Sequence, residues 1–185
     1  VNNMDSSLIR FLLIMIKVLI QMSKFSGGPS IFRKRLSTAL EKVPDIQVIH
    51  DKNEKFDVEL SFIQHLNKHN KPNVLRVDGC YWRSSQVKQN KPMIASIKKS
   101  SKVIYQSDFS RQMCQSIMHV DPPYEVIHNG IDLQYIKSIE PDKTIPPGSF
   151  VACAEWRDIK RPASIIKGFV RAELDADLFM IGDSK

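Results

Sequence analysis

The chain has 185 residues, of which 42% are hydrophobic, and a formal charge of +7 at pH 7. This length fits one domain or slightly more, and the apolar content is sufficient for a folded core. The 27 basic residues are spread along the chain and form no patch interleaved with aromatic residues, so we expect no nucleic acid partner.

The N-terminal residues 1–14 are predicted to be an extension outside the folded core. The apolar run "LIRFLLIMIKVLI" contains Arg10 and Lys17, and it is shorter than the ~20 residues that a membrane span needs. No small-residue cleavage site of a signal peptide follows it. A strand pattern begins directly after Met15. The alternative, a segment that contacts a membrane surface, stays open.

Strand and helix patterns alternate between residues 15 and 136, which we predict to be a Rossmann-like, acceptor-side domain. Short Val- and Ile-rich runs predict strands at 16–21, 46–50, 56–62 and 102–106, a strand ending in a turn at 73–79, and a strand followed by an Asn-Gly turn within 124–132. The run at 56–62 could equally continue as a helix to Leu66. Apolar residues at helical spacing predict helices from Pro29, at 91–100 and after a cap at Ser107 or Asp108. This alternation predicts an α/β fold, a parallel sheet with helices on both faces.

The proline-rich, polar residues 137–149 are predicted to be a linker. A single β-α-β unit follows, with strands at 150–156 and 177–183 and a helix from Pro162. A unit of this size is too small for an independent core. We therefore expect residues 150–185 to be the truncated start of a second Rossmann-like domain.

The cysteines Cys80, Cys114 and Cys153 are far apart and odd in number. They form no CxxC or Cys/His spacing, so the sequence predicts no metal site. We interpret them as reduced, buried thiols, which is typical of a cytoplasmic protein.

Two strand-turn-helix corners have the composition of phosphate-binding sites. In the first, Gly27 and Gly28 precede the basic residues Arg33, Lys34 and Arg35; in the second, a turn before Pro162 holds Arg157, Lys160 and Arg161. Helix N-termini offer unpaired N–H groups and a partial positive charge to an anion. Solvated surface cations would give the same pattern. The dinucleotide fingerprint GxGxxG and the P-loop are both absent, so we expect a different diphosphate ligand, held in a cleft.

The sequence resembles the family 4 glycosyltransferases, which have the two-Rossmann-domain GT-B fold. The resemblance covers nearly everything from Met15 onwards and rests on four segments in the family's order. These are "FSGGPS", "VLRVDGCYW", "KVIYQSDFSRQM" with "YEVIHNGID", and "VACAEWRDIKRP" with "DLFMIGD".

The resemblance implies transfer of a sugar from a nucleotide diphosphate sugar, with retention of configuration and no further cofactor. It implies that Arg157 and either Lys160 or Arg161 bind the donor diphosphate. Gly27 and Gly28 would let the backbone approach the donor closely. Asp78 would contact the donor sugar or an acceptor hydroxyl in catalysis; the alternative is a turn-capping role before Gly79.

The family's glutamate pair in the second domain is missing from this sequence. The resemblance therefore implies that the fragment alone is inactive, although the parent would be an enzyme. The acceptor, whether glycan, lipid or small molecule, is not readable from the residues, and peripheral contact with a membrane is compatible with them. The alternative from another class is a non-catalytic nucleotide-binding or scaffold remnant of the same fold.

Overall fold

The computed structural model describes residues 15–21, 28–65 and 69–183. The predicted extension 1–14 and the predicted site residue Gly27 therefore lie outside the described residues. The chain divides into two compact units, one up to Gly130 and one from Ile131 onwards.

The first unit is built on a parallel sheet. Its strands are β1 (Ile16–Leu19), β2 (Ile46–Ile49), β3 (Val58–Phe62), β4 (Asn73–Val77), β5 (Lys102–Tyr105) and β6 (Tyr124–Val126). Their order is β2-β1-β3-β4-β5-β6, and every neighbouring pair is parallel. The predicted α/β fold with a Rossmann-like parallel sheet is confirmed. The strand at β3 ends at Phe62, and no helix follows it as far as His65.

Among the residues described in this unit, three α-helices flank the sheet: α1 (Gly28–Leu40), α2 (Lys91–Ile97) and α3 (Asp108–Met118). The predicted cap of α3 is confirmed, because the Ser107 hydroxyl accepts a hydrogen bond of 3.1 Å from the Ser110 amide. Helix α2 ends three residues before the predicted position 100, with Lys98 as its C-cap. None of the helices in the described ranges has both the length and the hydrophobicity needed to cross a bilayer.

Apolar side chains cover both faces of the sheet. On one face, Phe32 and Leu36 of α1 pack against Phe62 and β1. Strand residues alternate between faces, so Leu75 and Val77 of β4 point to the other face. There they pack against side chains of α2 and α3. Strand β4 is buried or half-buried along its whole length, as expected for a central strand of a parallel sheet that is covered on both faces.

The second unit has the predicted β-α-β order. Strands β7 (Phe150–Cys153) and β8 (Leu178–Ile181) are parallel, and helix α5 (Pro162–Arg171) connects them. A short helix α4 (Leu133–Ser138) precedes them, overlapping the start of the predicted linker. The Asp132 side chain caps this helix by accepting a 3.0 Å hydrogen bond from the Tyr135 amide. A local cap thus stabilises one short turn of helix that the proline-rich composition did not suggest.

Gly182, directly after β8, is required by a close backbone approach. Its φ is +124°, and a Cβ there would lie 1.9 Å from the carbonyl oxygen of Ala154. We expect Gly182→Ala to destabilise the second unit by about 2 kcal/mol or more. Urea unfolding followed by the fluorescence of Trp156, in a Trp82→Phe background, measures this. Gly168→Ala is the matched control, because open space surrounds Gly168 in α5 and alanine there is expected to be neutral or stabilising. Equal stability of the two variants would contradict the steric argument.

The three cysteines are free thiols in different environments. Cys114 is buried, Cys80 is partly buried and Cys153 is exposed, so the prediction of buried thiols is wrong for Cys153. It lies in a two-stranded sheet, which gives its side chain little cover.

Native thiol reactivity should follow this order. Burial raises the pKa of Cys114 to about 12 and also raises the pKa of Cys80, which lowers the thiolate fraction at neutral pH. We expect one fast-reacting thiol, Cys153, in an Ellman assay of the native chain, and three in denaturant. Loss of the fast phase in Cys153→Ser checks the assignment; a fast phase that survives this substitution would refute it.

Candidate functional site

The order of strands in the first unit places a switch point at β1. Strand β2 pairs with one side of β1 and β3 with the other, and the later strands continue beyond β3. In open α/β sheets, ligands bind outside the carboxyl ends of the strands at such a point. Polar side chains follow these ends at Gln21, Gln64, Asp78, Gln106 and Asn129.

Arg76 is a buried charge within the apolar strand β4. The residue is 5% exposed, and it lies on the face that packs against α1. Its guanidinium carbon is 3.8 Å from the centroid of the Phe32 ring. One terminal nitrogen forms an ion pair with Asp78, and the other donates a 2.8 Å hydrogen bond to Asn129 Oδ1. Burial lowers the pKa of Arg76, and the Asp78 charge partly opposes this.

Arg33 brings a second guanidinium to the same region from α1. It donates a 3.0 Å hydrogen bond to the backbone oxygen of Gln21 and stacks 4.6 Å from the centroid of the Phe62 ring. Its Nε is buried and has no hydrogen-bond partner within the described parts of the chain. Burial lowers the pKa of Arg33, which the charge of Asp78 partly offsets. A small pocket at this edge of the sheet is lined by Gln21, Arg33, Phe62 and Gln64, together with Glu59, Leu60 and Ser61.

Asp78, the predicted catalytic residue, lies directly after β4 between these two arginines. Its side chain is 29% exposed. Burial raises the pKa of Asp78, and the charges of Arg76 and Arg33 lower it by less. Its backbone oxygen accepts a hydrogen bond from the Gln106 amide group, and Gln106 Oε1 accepts one of 3.1 Å from Asn129.

Together Arg33, Arg76, Asp78, Gln106 and Asn129 form what we call the carboxyl-end cluster. Hydrogen bonds among Arg76, Asp78, Gln106 and Asn129 link β4 to the segments that follow β4, β5 and β6, and Arg33 of α1 interacts with the charge of Asp78. Two guanidinium groups face one carboxylate, so the cluster has a net positive charge. An anionic or hydroxyl-rich ligand at this edge would meet fixed hydrogen-bond donors.

The predicted glycine corner is only partly described. Gly28 is the first residue of α1, and beyond its own helix turn no atom of the described residues lies within 4 Å of where its Cβ would be. A ligand could therefore approach the backbone here, but no contact within the described residues requires a glycine.

The predicted cationic corner lies in the second unit, in the turn between β7 and α5. Arg157 precedes a single 3-10 turn (Asp158–Lys160), and Arg161 precedes α5 with a left-handed φ of +53°. All three basic residues are exposed. The Arg157 side chain is 54% exposed, and its Nη2 lies 4.0 Å from Glu155 Oε2. The structure thus brings Arg157, Lys160 and Arg161 into one short turn at the N-terminal end of α5.

Sequence reasoning missed Arg76, Gln106 and Asn129. Arg76 had a usable signal, since it is a charged residue in the otherwise apolar run "NVLRV", and a buried charge needs a partner. The partner Asn129 is 53 residues away, so only the three-dimensional arrangement of strand ends reveals it.

No family model matches the chain, and no curated protein matches it significantly.

Proposed function

We propose that this protein is a retaining glycosyltransferase that uses a nucleotide diphosphate sugar as donor. The observation that carries the proposal is the turn before α5, where Arg157, Lys160 and Arg161 are exposed together. The four sequence segments that resemble family 4 support the same assignment. The parallel α/β fold is compatible with it.

An anion explains why three cations lie in this turn. The N-terminal end of a helix carries a partial positive charge, so cations there repel it. Glu155, which lies 4.0 Å from Arg157, and Asp158 within the turn supply two negative charges against three positive ones, so the turn keeps a net positive charge. A diphosphate would accept forked hydrogen bonds from Arg157 and form an ion pair with Lys160 or Arg161. These groups would also stabilise the negative charge that develops on the leaving diphosphate.

The carboxyl-end cluster would supply the sugar-contacting groups. Asp78 keeps part of its carboxylate exposed while Arg76 fixes its position. In the proposed reaction it accepts a hydrogen bond from a hydroxyl of the donor sugar or the acceptor. Glycan, lipid and small-molecule acceptors all fit this requirement. The free thiols of the described residues favour a reducing compartment, so we propose that the reaction is cytoplasmic.

Binding of nucleoside diphosphates to this chain tests the donor-binding part of the proposal. In a Trp82→Phe background, Trp156 is the only tryptophan, and it is adjacent to Arg157. We expect a saturable fluorescence change with UDP, ADP or GDP, and none with the matching nucleoside. Arg157→Ala should weaken binding at least ~10-fold, as expected for a charge-assisted contact. Arg171→Ala, an exposed arginine at the other end of α5, is the matched control. Equal binding of nucleoside and diphosphate, or equal loss in both variants, would refute the proposal.

One observation favours the second candidate, a non-catalytic nucleotide-binding or scaffold protein. The carboxylate of Asp78 is already engaged by Arg76, and Arg76 is in turn held by Asn129. A network of this kind can serve stability alone. Nucleotide binding without turnover of any nucleotide sugar by the full-length gene product would support this candidate over the first.

A further inference from the structure

A buried carboxylate with two imidazoles lies on the face of the sheet opposite α1. Glu59 of β3 is 3% exposed, and the side chains of His65 and His69 are 11% and 15% exposed. Glu59 Oε2 lies 3.0 Å from His65 Nδ1 and 2.5 Å from His69 Nε2. One candidate ligand atom from each residue lies within 4.8 Å of the other two.

From this arrangement we propose that Glu59, His65 and His69 bind a divalent transition-metal ion, with Zn²⁺ the best fit. Two imidazole nitrogens and one carboxylate oxygen are a common ligand set for zinc and leave one position for water. Hard cations such as Mg²⁺ and Ca²⁺ prefer all-oxygen ligands. The site contains no cysteine, so it has none of the Cys-based spacings that indicate a metal site in a sequence.

The two ligand pairs at Glu59 fit the ion after a small outward movement. Bonds of ~2.0–2.1 Å in a tetrahedral site place neighbouring ligand atoms about 3.3 Å apart. The two pairs at Glu59 are closer than this, so binding requires each to separate by less than about 1 Å. The three side chains already lie together, so the site forms without a larger rearrangement.

Surrounding hydrogen bonds hold the ligands in place. Asn73, which is 3% exposed, donates to Ser61 Oγ at 2.8 Å and to the backbone oxygen of Glu59 at 3.4 Å. The backbone amide of His65 donates a 2.8 Å hydrogen bond to Ser96 Oγ of α2. Such outer contacts orient metal ligands and lower the cost of ordering them. In this proposal the metal links His65 and His69 to Glu59 of β3.

Metal binding has a structural consequence at Lys71. The Lys71 amide donates a 3.1 Å hydrogen bond to His69 Nδ1, which leaves the ring proton on Nε2, facing Glu59. Coordination through Nε2 moves that proton to Nδ1, so the Lys71 contact must break. The NMR signal of the Lys71 backbone amide therefore reports metal binding in the unaltered chain.

The first test uses the unaltered chain without an affinity tag, after treatment with EDTA. Titration with Zn²⁺ against a chromophoric chelator should give one ion per chain. Co²⁺ should give the visible absorption of a tetrahedral site without a thiolate charge-transfer band, which separates this site from one at Cys153. NMR should show shifts of the His65 and His69 ring signals and of the Lys71 amide. Failure to bind Zn²⁺, or binding that leaves these three signals in place, overturns the proposal.

Substitutions give the second test. His65→Gln and His69→Gln should each weaken Zn²⁺ binding by on the order of 100-fold or more, since even outer partners of metal sites contribute ~10–100-fold. His50→Gln is the matched control: His50 follows β2 and contacts Ile20 and Ser37 instead. Its Zn²⁺ affinity should be unchanged. Equal affinity of all three variants overturns the proposal, and the NMR result on the unaltered chain decides the case if a variant does not fold.

Discussion

Replacing Arg76 with methionine should destabilise the first unit by about 3 kcal/mol at pH 7, the usual cost of removing one partner of a buried ion pair. Arg76 is almost fully buried, and its guanidinium binds both Asp78 and Asn129. Methionine retains much of the contact with Phe32 but leaves the Asp78 carboxylate without its nearest counter-charge. Urea unfolding, followed by far-UV circular dichroism, measures the loss.

The pH dependence of this loss has a definite sign. Burial already raises the pKa of Asp78 above 3.8, and removal of Arg76 raises it further. A carboxyl with a raised folded-state pKa favours the folded state below its unfolded-state pKa, and this contribution is lost as the pH rises through the folded-state pKa. The destabilisation by Arg76→Met should therefore shrink as the pH falls from 7 towards 4.

The double variant Arg76→Met/Asp78→Asn is the control for this prediction. It removes the uncompensated charge, so it should recover most of the stability lost in the single variant. Arg35→Met, at an exposed position of α1, should have little effect. A single variant that loses less than about 1 kcal/mol, or a double variant no more stable than the single one, would contradict a role for this ion pair.

Replacing Arg157 with alanine should reduce donor turnover by the full-length gene product at least ~100-fold, or about 2.7 kcal/mol of transition-state stabilisation. The fold should survive, because the Arg157 side chain is half-exposed and its ion pair with Glu155 spans 4.0 Å. We expect a large effect because negative charge grows on the diphosphate as the sugar leaves, and Arg157 would stabilise this charge. Steady-state release of nucleoside diphosphate measures it.

A lysine at position 157 separates the effect of the positive charge from the effect of the forked hydrogen-bond geometry. Arg157→Lys keeps the positive charge but loses the forked donor, so it should recover only part of the activity. Arg171→Ala should behave as the unaltered protein. If Arg157→Ala keeps its activity within about 2-fold of the Arg171→Ala control, with an unchanged circular dichroism spectrum, then Arg157 does not stabilise the charge on the leaving diphosphate.

Alternation of apolar runs was sufficient to predict the fold. Each of the eight strands in the described part of the chain lies within a predicted run, because short Val- and Ile-rich segments such as "IKVLI" and "KVIYQ" have few alternatives in an α/β chain. Ser107 was identifiable as a cap because capping depends on residues three positions apart. Helix α4 was missed because one six-residue helix depends on a single cap at Asp132.

The site was less predictable, because its contacts join distant parts of the chain. Asp78 and the 157–161 turn could be chosen from local sequence, but the ion pair with a strand residue and the contact with Asn129 could not. The histidines had a visible signal, a spacing of four residues between His65 and His69. Their partner Glu59 lies inside a strand, where only the packed sheet shows which face its side chain takes.

The most direct test of the central claim is a donor screen with the full-length gene product. Nucleotide diphosphate sugars of different bases and sugars are supplied one at a time, and release of the nucleoside diphosphate is followed. We predict release from one class of donor, formation of a product with the donor's anomeric configuration, and loss of both in Arg157→Ala. A folded protein that releases no nucleoside diphosphate from any donor, or that releases it equally well without Arg157, would contradict the account.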